Sequence, residues 1–218
     1  MMKRQHITVI PGDGIGPGLI TAALKVLDKL GCEFEYDYAE IGQAALDAGK
    51  DLLPEEVLDL IRKNKIAIKG PITTPIGEGF SSVNVSLRRH FNLYANFRPV
   101  VSYPGSRSAY ENVDIISDLC AGLVGGLGMA PGADIGDRVA IFEAVHGSAP
   151  DIADKNIANP ISLFLASALM LDHLNLGHRA KSLRDAIRDA LQKRDRVTAD
   201  LGGEGSTAEF TDAILERL

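Results

Sequence analysis

Three features of this 218-residue sequence predict an α/β fold. Strand-like and helix-like patterns alternate along nearly the whole chain. A hydrophobic content of 45% is enough to bury a substantial core. The chain also opens as such folds do: the strand-like run His6 to Ile10 enters a helical pattern from Pro17 to Leu30 through the turn Pro11-Gly-Asp-Gly-Ile-Gly-Pro-Gly18. That turn does not fit the usual phosphate cradles. A dinucleotide fingerprint would need a glycine where Pro17 stands, and no Gly-Lys-Ser/Thr follows as a P-loop requires. A tight βα turn with a proline near the first helical position is the simpler reading.

The remaining elements follow in order. A strand is predicted near Cys32–Tyr38, helices near 41–48 and 54–63, and a short buried strand at Ile66–Gly70. A loop rich in Gly, Thr and Ser leads to a short helix with Arg88 and Arg89, then to a strand ending at Arg98. Farther on come a strand at Arg138–Phe142, an apolar helix from about Pro160 to Leu174, and an amphipathic helix at 179–194. In the closing helix, Ser206-Thr-Ala-Glu209 is a capping box. Neither an internal repeat nor a flexible linker marks a second domain.

Composition narrows the function. A net charge of −6 leaves no basic footprint for nucleic acid and nothing to draw the chain to an anionic membrane. Cys32 and Cys120 form neither a disulfide framework nor a zinc site. With no signal-like start and no long apolar run, a cytoplasmic protein is expected.

Three stretches carry chemistry. Arg88 and Arg98, after a hydroxyl-rich loop, suit a small polycarboxylate through paired charge-assisted hydrogen bonds; the alternative is surface ion pairs. Asp114 and Asp118 would share a face if helical and hold one Mg²⁺ or Mn²⁺; otherwise Asp114 is a helix cap and Asp118 merely exposed. Glu143-Ala-Val-His-Gly-Ser-Ala-Pro-Asp151 runs from a strand end into a small-residue loop, where α/β sheets tend to bind nucleotides.

Together with "ITVIPGDGIGP", "KGPITTPIGEG", "SSVNVSLRRHFNLYANFRPV", "YENVD", "DIISDLCAGLVGGLGMAPGADIGD", "FEAVHGSAPDIADKNIANP" and "GGEGSTAEFTDAI", these stretches resemble the isocitrate/isopropylmalate dehydrogenase family, in family order over nearly the whole chain. The resemblance implies the large domain of that family's own three-layer, non-Rossmann α/β fold. It implies an NAD-dependent oxidative decarboxylation of isocitrate to 2-oxoglutarate, with Mg²⁺ or Mn²⁺ on Asp114 and Asp118. Substrate contacts fall to Thr74, Ser82, Asn84, Arg88 and Arg98, and the Ser82-Val-Asn84 segment favours isocitrate over isopropylmalate; a homoisocitrate enzyme is an alternative. Cofactor contacts fall to Thr74, Asn84, Glu143, His146, Gly147, Ser148, Ala149, Asp151, Ile152, Asn159 and Asp200. Where NADP-using members grip the 2′-phosphate, this chain has Asp151, Ile152, Ala199 and Gly203, so NAD is implied.

The chain departs from the family after Tyr110-Glu-Asn-Val-Asp114, which passes directly into Ile115-Ile-Ser-Asp118. Family members carry a second, smaller α/β domain there, with the catalytic tyrosine and lysine, a further substrate arginine and the clasp between subunits. Residues 1–218 are thus expected to be one large domain lacking that insertion at about residue 114. No catalytic acid or base is retained, and turnover is expected to be lost. Lys69, Tyr94, Tyr103 and Tyr110 are the remaining candidates for proton transfer near the cleft. The family is homodimeric; a monomer or weak dimer is expected here, resting on a helix near Ile115, Leu119 and Leu123. The fusion at a shared aspartate raises a second reading, an engineered, non-catalytic module that folds and binds NAD.

Overall fold

In the computed structural model, residues 4–73, 82–105, 114–116 and 126–218 are described. A six-stranded mixed sheet runs in the order β2-β1-β3-β8-β7-β4. Its parallel half is β2 (Phe34–Tyr38), β1 (Gln5–Ile10), β3 (Ile66–Lys69) and β8 (Ala140–Ala144); β7 (Pro131–Ile135) and β4 (Ala95–Phe97) are antiparallel. All residues of β3 and β8 are buried, as expected for central strands covered on both faces.

Alternation along these strands divides the core in two. Ile66 and Ile68 of β3, with Ala140, Phe142 and Ala144 of β8, face helices α1 (Gly16–Lys29), α5 (Ile161–His173), α6 (Gly177–Lys193) and α7 (Thr207–Leu215). Ala67 and Ile141 face the opposite layer, formed by α3 (Glu55–Asn64) and α4 (Val83–His90), with the short α2 (Gln43–Asp47) nearby. Helix α5 is buried nearly all round because it packs on β7 and β8 on one side and α6 on another. The predicted capping box starts α7: Ser206 accepts from the Glu209 amide, and the Glu209 carboxylate accepts from the Ser206 amide at 2.8 Å.

Most predicted elements form within a few residues of their expected bounds. The antiparallel β7 was not anticipated, because Pro131 and Gly132 argue against a strand. Pro131 is tolerated as the strand's first residue.

Asp114 contradicts its expected helix. Asp114–Ile116 is strand β6, paired antiparallel with β5 (Pro99–Val101), so that Val101 meets Asp114 and Pro99 meets Ile116. The β-branched pair Ile115-Ile116 suits a pleated strand better than a helix. The helical spacing expected to join Asp114 to Asp118 therefore does not start at Asp114, and Ile115 lies in the same strand rather than in a helix. Asp118, Leu119, Leu123 and Thr74 lie outside the described residues.

The glycine-rich turn after β1 is a wedge between two loops. Asp13 donates its amide to the Pro71 carbonyl at 2.8 Å and accepts from the Thr73 amide at 2.7 Å, while the Ile15 amide donates to the Ser148 carbonyl at 2.9 Å. Gly12 and Gly14 have φ of +76° and +59°, and a Cβ at Gly14 would lie 2.0 Å from the Ser148 oxygen. Backbone contact, rather than phosphate binding, accounts for these glycines. Gly14→Ala is therefore expected to lower stability well beyond the roughly 1–2 kcal/mol of a left-handed alanine, whereas Gly49→Ala, at φ +74° with open space around it, should cost only that strain. Urea unfolding of the two variants checks the difference.

Candidate active site

The parallel strands β3 and β8 end side by side, with Lys69 and Glu143 in register. Both side chains are almost fully buried, at 2% and 3% exposure, and Lys69 Nζ stands 2.7 Å from Glu143 Oε2. Lys69 also donates to the Gly70 carbonyl at 3.0 Å. Two arginines reach the same face of the sheet. Arg98, just beyond β4, places Nη2 4.0 Å from Glu143 Oε1, and Arg88, in the last turn of α4, places Nε 3.3 Å from Asp134 Oδ2 on β7. Asn96 on β4 donates to Asp134 Oδ1 at 2.5 Å.

These neighbours set the two carboxyl groups apart. Burial works to raise the pKa of Glu143, but Lys69, then Arg98 and Arg88, outweigh it and hold the group below its ordinary value. Burial also acts on Asp134, and there it prevails: with Glu143 adding negative charge nearby, the Asp134 carboxyl is pushed up, against the smaller opposing effects of Arg88, Asn96 and Lys69. Asn84 lies one helical turn before Arg88 on α4, and its Oδ1 is buried without a hydrogen-bond partner. A buried acceptor left unpaired is costly unless a ligand donor meets it. Ser82 is exposed immediately before α4.

Beyond Glu143 the chain leaves β8 and borders a second space. A cavity of about 530 Å³ is lined by His146, Gly147, Ala149, Ile152, Asn159 and Asp200, together with Ile15, Gly128, Ile157, Ala158 and Ala199. Ala149 takes a left-handed φ of +41° to enter the helical turn Pro150–Ile152. Asn159 is fixed at both ends: its Oδ1 accepts from the Ile161 amide at 3.0 Å, and its Nδ2 donates to Asp200 Oδ2 at 2.9 Å. Asp200 Oδ1 accepts from the Thr198 hydroxyl at 2.5 Å. The His146 ring has Nδ1 3.0 Å from the Gly147 carbonyl, a contact that places the proton on Nδ1. Nε2 is then an acceptor, buried and without a partner, and burial pushes the imidazole pKa down so that it stays neutral. Among the described residues, none that lines the cavity is Lys or Arg.

Of the residues singled out in the sequence, Arg88 and Arg98 reach the face of the Lys69–Glu143 pair, Asn84 lies one turn before Arg88 on α4, and six of the cofactor residues line the cavity. Ser148 turns elsewhere, its hydroxyl 2.7 Å from that of Thr73 and its carbonyl on Ile15. Glu143 sits with the cations rather than in the cavity. Asp151 is exposed and does not line the cavity. Of the proton-transfer candidates, Lys69 is tied to Glu143, Tyr94 is 68% exposed, Tyr103 is buried with its pKa raised by that burial, and Tyr110 lies outside the described residues. Asp134 and Asn96 had not been singled out. The one signal was a carboxylate within the otherwise uncharged run Ala130-Pro-Gly-Ala-Asp-Ile135. Among the described residues no group of three or more His, Cys, Asp or Glu is placed to hold a metal ion.

Comparison with known proteins shows the family and the fold. Residues 6–113 and 110–214 match the family model described as isocitrate/isopropylmalate dehydrogenase. The mitochondrial NAD isocitrate dehydrogenase subunit 2 of Schizosaccharomyces pombe is 30% identical over 331 residues, covering 97% of this chain and 87% of that protein. Catalytic subunit 5 of the Arabidopsis thaliana mitochondrial enzyme is 31% identical over 328 residues, covering 97% and 88%. Both alignments are far longer than the 218 residues of this chain, so they span a block of the relatives without a counterpart here. The crystal structure of isocitrate dehydrogenase from Methylococcus capsulatus superposes with a TM-score of 0.94 at 31% identity, covering 98% of this chain and 99% of that one. The TT0538 protein from Thermus thermophilus superposes with a TM-score of 0.91 at 29% identity, covering 99% and 68%.

The cytoplasmic expectation is corrected by the Schizosaccharomyces pombe and Arabidopsis thaliana relatives, which are mitochondrial proteins. Cysteine usage and the lack of a long apolar run do not separate one reducing aqueous compartment from another. Among the described residues, no helix is long and apolar enough to cross a membrane.

The buried ion pair yields a stability prediction. Lys69→Met leaves Glu143 buried without its main partner and should destabilise the protein by about 3–5 kcal/mol at pH 7, while adding Glu143→Leu should restore most of the loss. Because the folded-state pKa of Glu143 is depressed, the pair's stabilisation is present above the ordinary glutamate range and is lost as pH falls through the folded value. The gap between wild type and Lys69→Met should therefore narrow in acid. Urea titrations across pH would show it.

Proposed function

Because the chain belongs to the isocitrate/isopropylmalate dehydrogenase family, we propose that its cleft takes isocitrate beside NAD, and that this chain binds both without turning isocitrate over at a useful rate. The observation that carries the binding half is the approach of Arg88 and Arg98 to one face of the sheet, with Arg98 reaching Glu143 at the end of the strand that leads directly into the cavity around His146. Two guanidinium groups on one sheet face suit a ligand with several carboxylates. The buried amide oxygen of Asn84, one turn before Arg88 on α4, suits a ligand with a donor, such as a hydroxyl or carboxamide, and would oppose an isopropyl group. Homoisocitrate, one methylene longer, remains the second reading, since one methylene is a weak discriminator.

The cavity residues fit the adenosine half of a dinucleotide. His146 offers an unpaired acceptor, Asp200 and Asn159 offer fixed polar groups in the same lining, and Gly128 and Gly147 add no side chain. NAD supplies the hydride acceptor when bound; the chain's own contribution is to hold and orient it. With no cation lining the cavity and Asp151 exposed on the following turn, a 2′-phosphate would find no partner, which supports NAD over NADP. A divalent ion on Asp114 and Asp118 belongs to the family reading, but with Asp114 in a strand their spacing no longer argues for it, and we derive no step through a metal.

The reading of this chain as a single large domain is supported by the way the family model matches in two pieces that meet at residues 110–113. Alignments of 331 and 328 residues, longer than this chain, also support it. The general base and acid of the family belong to the missing block, and each such group contributes typically 10²–10⁴-fold. The retained candidates do not replace them, for Lys69 is bound to Glu143 and Tyr103 is buried. The same loss supports a monomer or weak dimer, and a non-catalytic NAD-binding module is the form the function would then take.

Calorimetric titration with NAD and NADP, paired with an NADH assay on isocitrate and Mn²⁺, tests the proposal. NAD should bind more tightly than NADP by about 1–3 kcal/mol, and Asp151→Lys with Ile152→Tyr should narrow the gap. Equal affinities would count against the cofactor reading. Turnover within tenfold of an intact relative would restore the enzyme outright.

A further inference from the structure

The cleft holds one carboxylate that the family reading leaves unused. Asp134 projects from β7 onto the face that carries Lys69 and Glu143, and its side chain is only 5% exposed. The groups facing it come from every neighbouring element: Glu143 from β8, Arg88 from α4, Asn96 from β4 and Lys69 from β3. Asp134 is the ion partner of Arg88 among the described residues. The contact is off line. Arg88 Nε lies 3.3 Å from Asp134 Oδ2, yet its N–H makes no hydrogen bond, and the arginine is 31% exposed.

We propose that Asp134 is the resting counter-ion of Arg88 and a positioning residue for it, giving up the guanidinium to an incoming carboxylate ligand while itself taking up one proton from solvent. The inference rests on the reading of Arg88 as a carboxylate-binding residue. The balance of charge requires some such adjustment. Lys69, Arg88 and Arg98 face Asp134 and Glu143, so the resting site carries one net positive charge, and a ligand with several carboxylates would drive it negative in a largely buried setting. A proton is the simplest relief.

Asp134 is the group placed to accept it. Glu143 has Lys69 at 2.7 Å and Arg98 at 4.0 Å to hold it ionised, whereas Asp134 has one misaligned cation, the neutral amide of Asn96 and the Glu143 charge beside it. Its carboxyl is already pushed above the ordinary range by burial. Once protonated, it still accepts from Asn96 through Oδ1 and no longer competes for Arg88. By linkage, ligand binding and proton uptake then reinforce one another.

The test uses isocitrate, calorimetry and carboxyl NMR. In the ligand-free protein, Arg88→Met should move the Asp134 carboxyl titration to higher pH; an unmoved midpoint overturns the counter-ion pair whether or not isocitrate is the ligand. Isocitrate titrations from pH 5.5 to 8 in buffers of different ionisation enthalpy should show proton uptake by wild type and an affinity that rises as pH falls, by up to about tenfold per pH unit. The isosteric Asp134→Asn should bind more tightly at pH 8 and lose that component. The ligand's own ionisation is common to both proteins and cancels in the comparison. Equal proton uptake by the two overturns the exchange. No isocitrate binding by either protein overturns the substrate reading, and the exchange with it, while the NMR result still judges the resting pair by itself.

Discussion

The site depends on a lysine and a glutamate buried together at the ends of two central strands. Lys69 and Glu143 are each almost wholly removed from water, and the desolvation of two such charges is tolerated only because they stand 2.7 Å apart with further partners around them. Their register, fixed by the β3–β8 ladder, decides where everything else in the cleft can stand. Arg98 approaches the free side of Glu143, Asp134 takes the next strand over, and Arg88 meets Asp134 from α4. A one-residue slip of either strand would turn these groups into the apolar core on the opposite face.

Strand β8 also joins the two halves of the site. Its residue Glu143 belongs to the charged face; three residues later His146 borders the cavity. The loop between them is held by the first turn of the chain, since Ile15 bonds the Ser148 carbonyl and Asp13 bonds the 71–73 segment after β3. The opening glycines therefore act on both halves at once. They are remote in sequence from the groups they position, and they touch only backbone.

Much of this was legible from residues alone. Strand β3 announced itself as a short apolar run, α7 by its capping box, and the arginines by the polar loop before them. Those signals are local. What escaped depended on pairing between distant segments. Strand β7 begins with Pro-Gly, which reads as a turn until β8 and β4 are present to pair with it. Asp134 drew no notice because a carboxylate in a sequence is ordinarily exposed, and only the sheet shows it turned inward. Asp114 was misread for the converse reason: an i,i+4 pair of aspartates suggests a helix face, but the isoleucines between them find a strand partner in residues 99–101.

The charged face is better explained by ligand binding than by stability. Hydrophobic residues of similar volume at Lys69 and Glu143 would hold two buried strands together at least as well, because a buried ion pair often only repays its own desolvation. The surrounding groups make the same point. Asn84 leaves an acceptor unpaired and Arg88 settles for a misaligned carboxylate, both small losses in the resting protein and both removed if a ligand supplies a donor and a carboxylate. On the other side of β8, the unpaired Nε2 of His146 makes the same argument for the cavity. Three buried polar atoms left without a hydrogen-bond partner, on α4 and in the loop after β8, are hard to reconcile with packing alone. A polar ligand would satisfy each of them, and in an open cleft water would screen each charge and weaken the electrostatic work that chemistry demands.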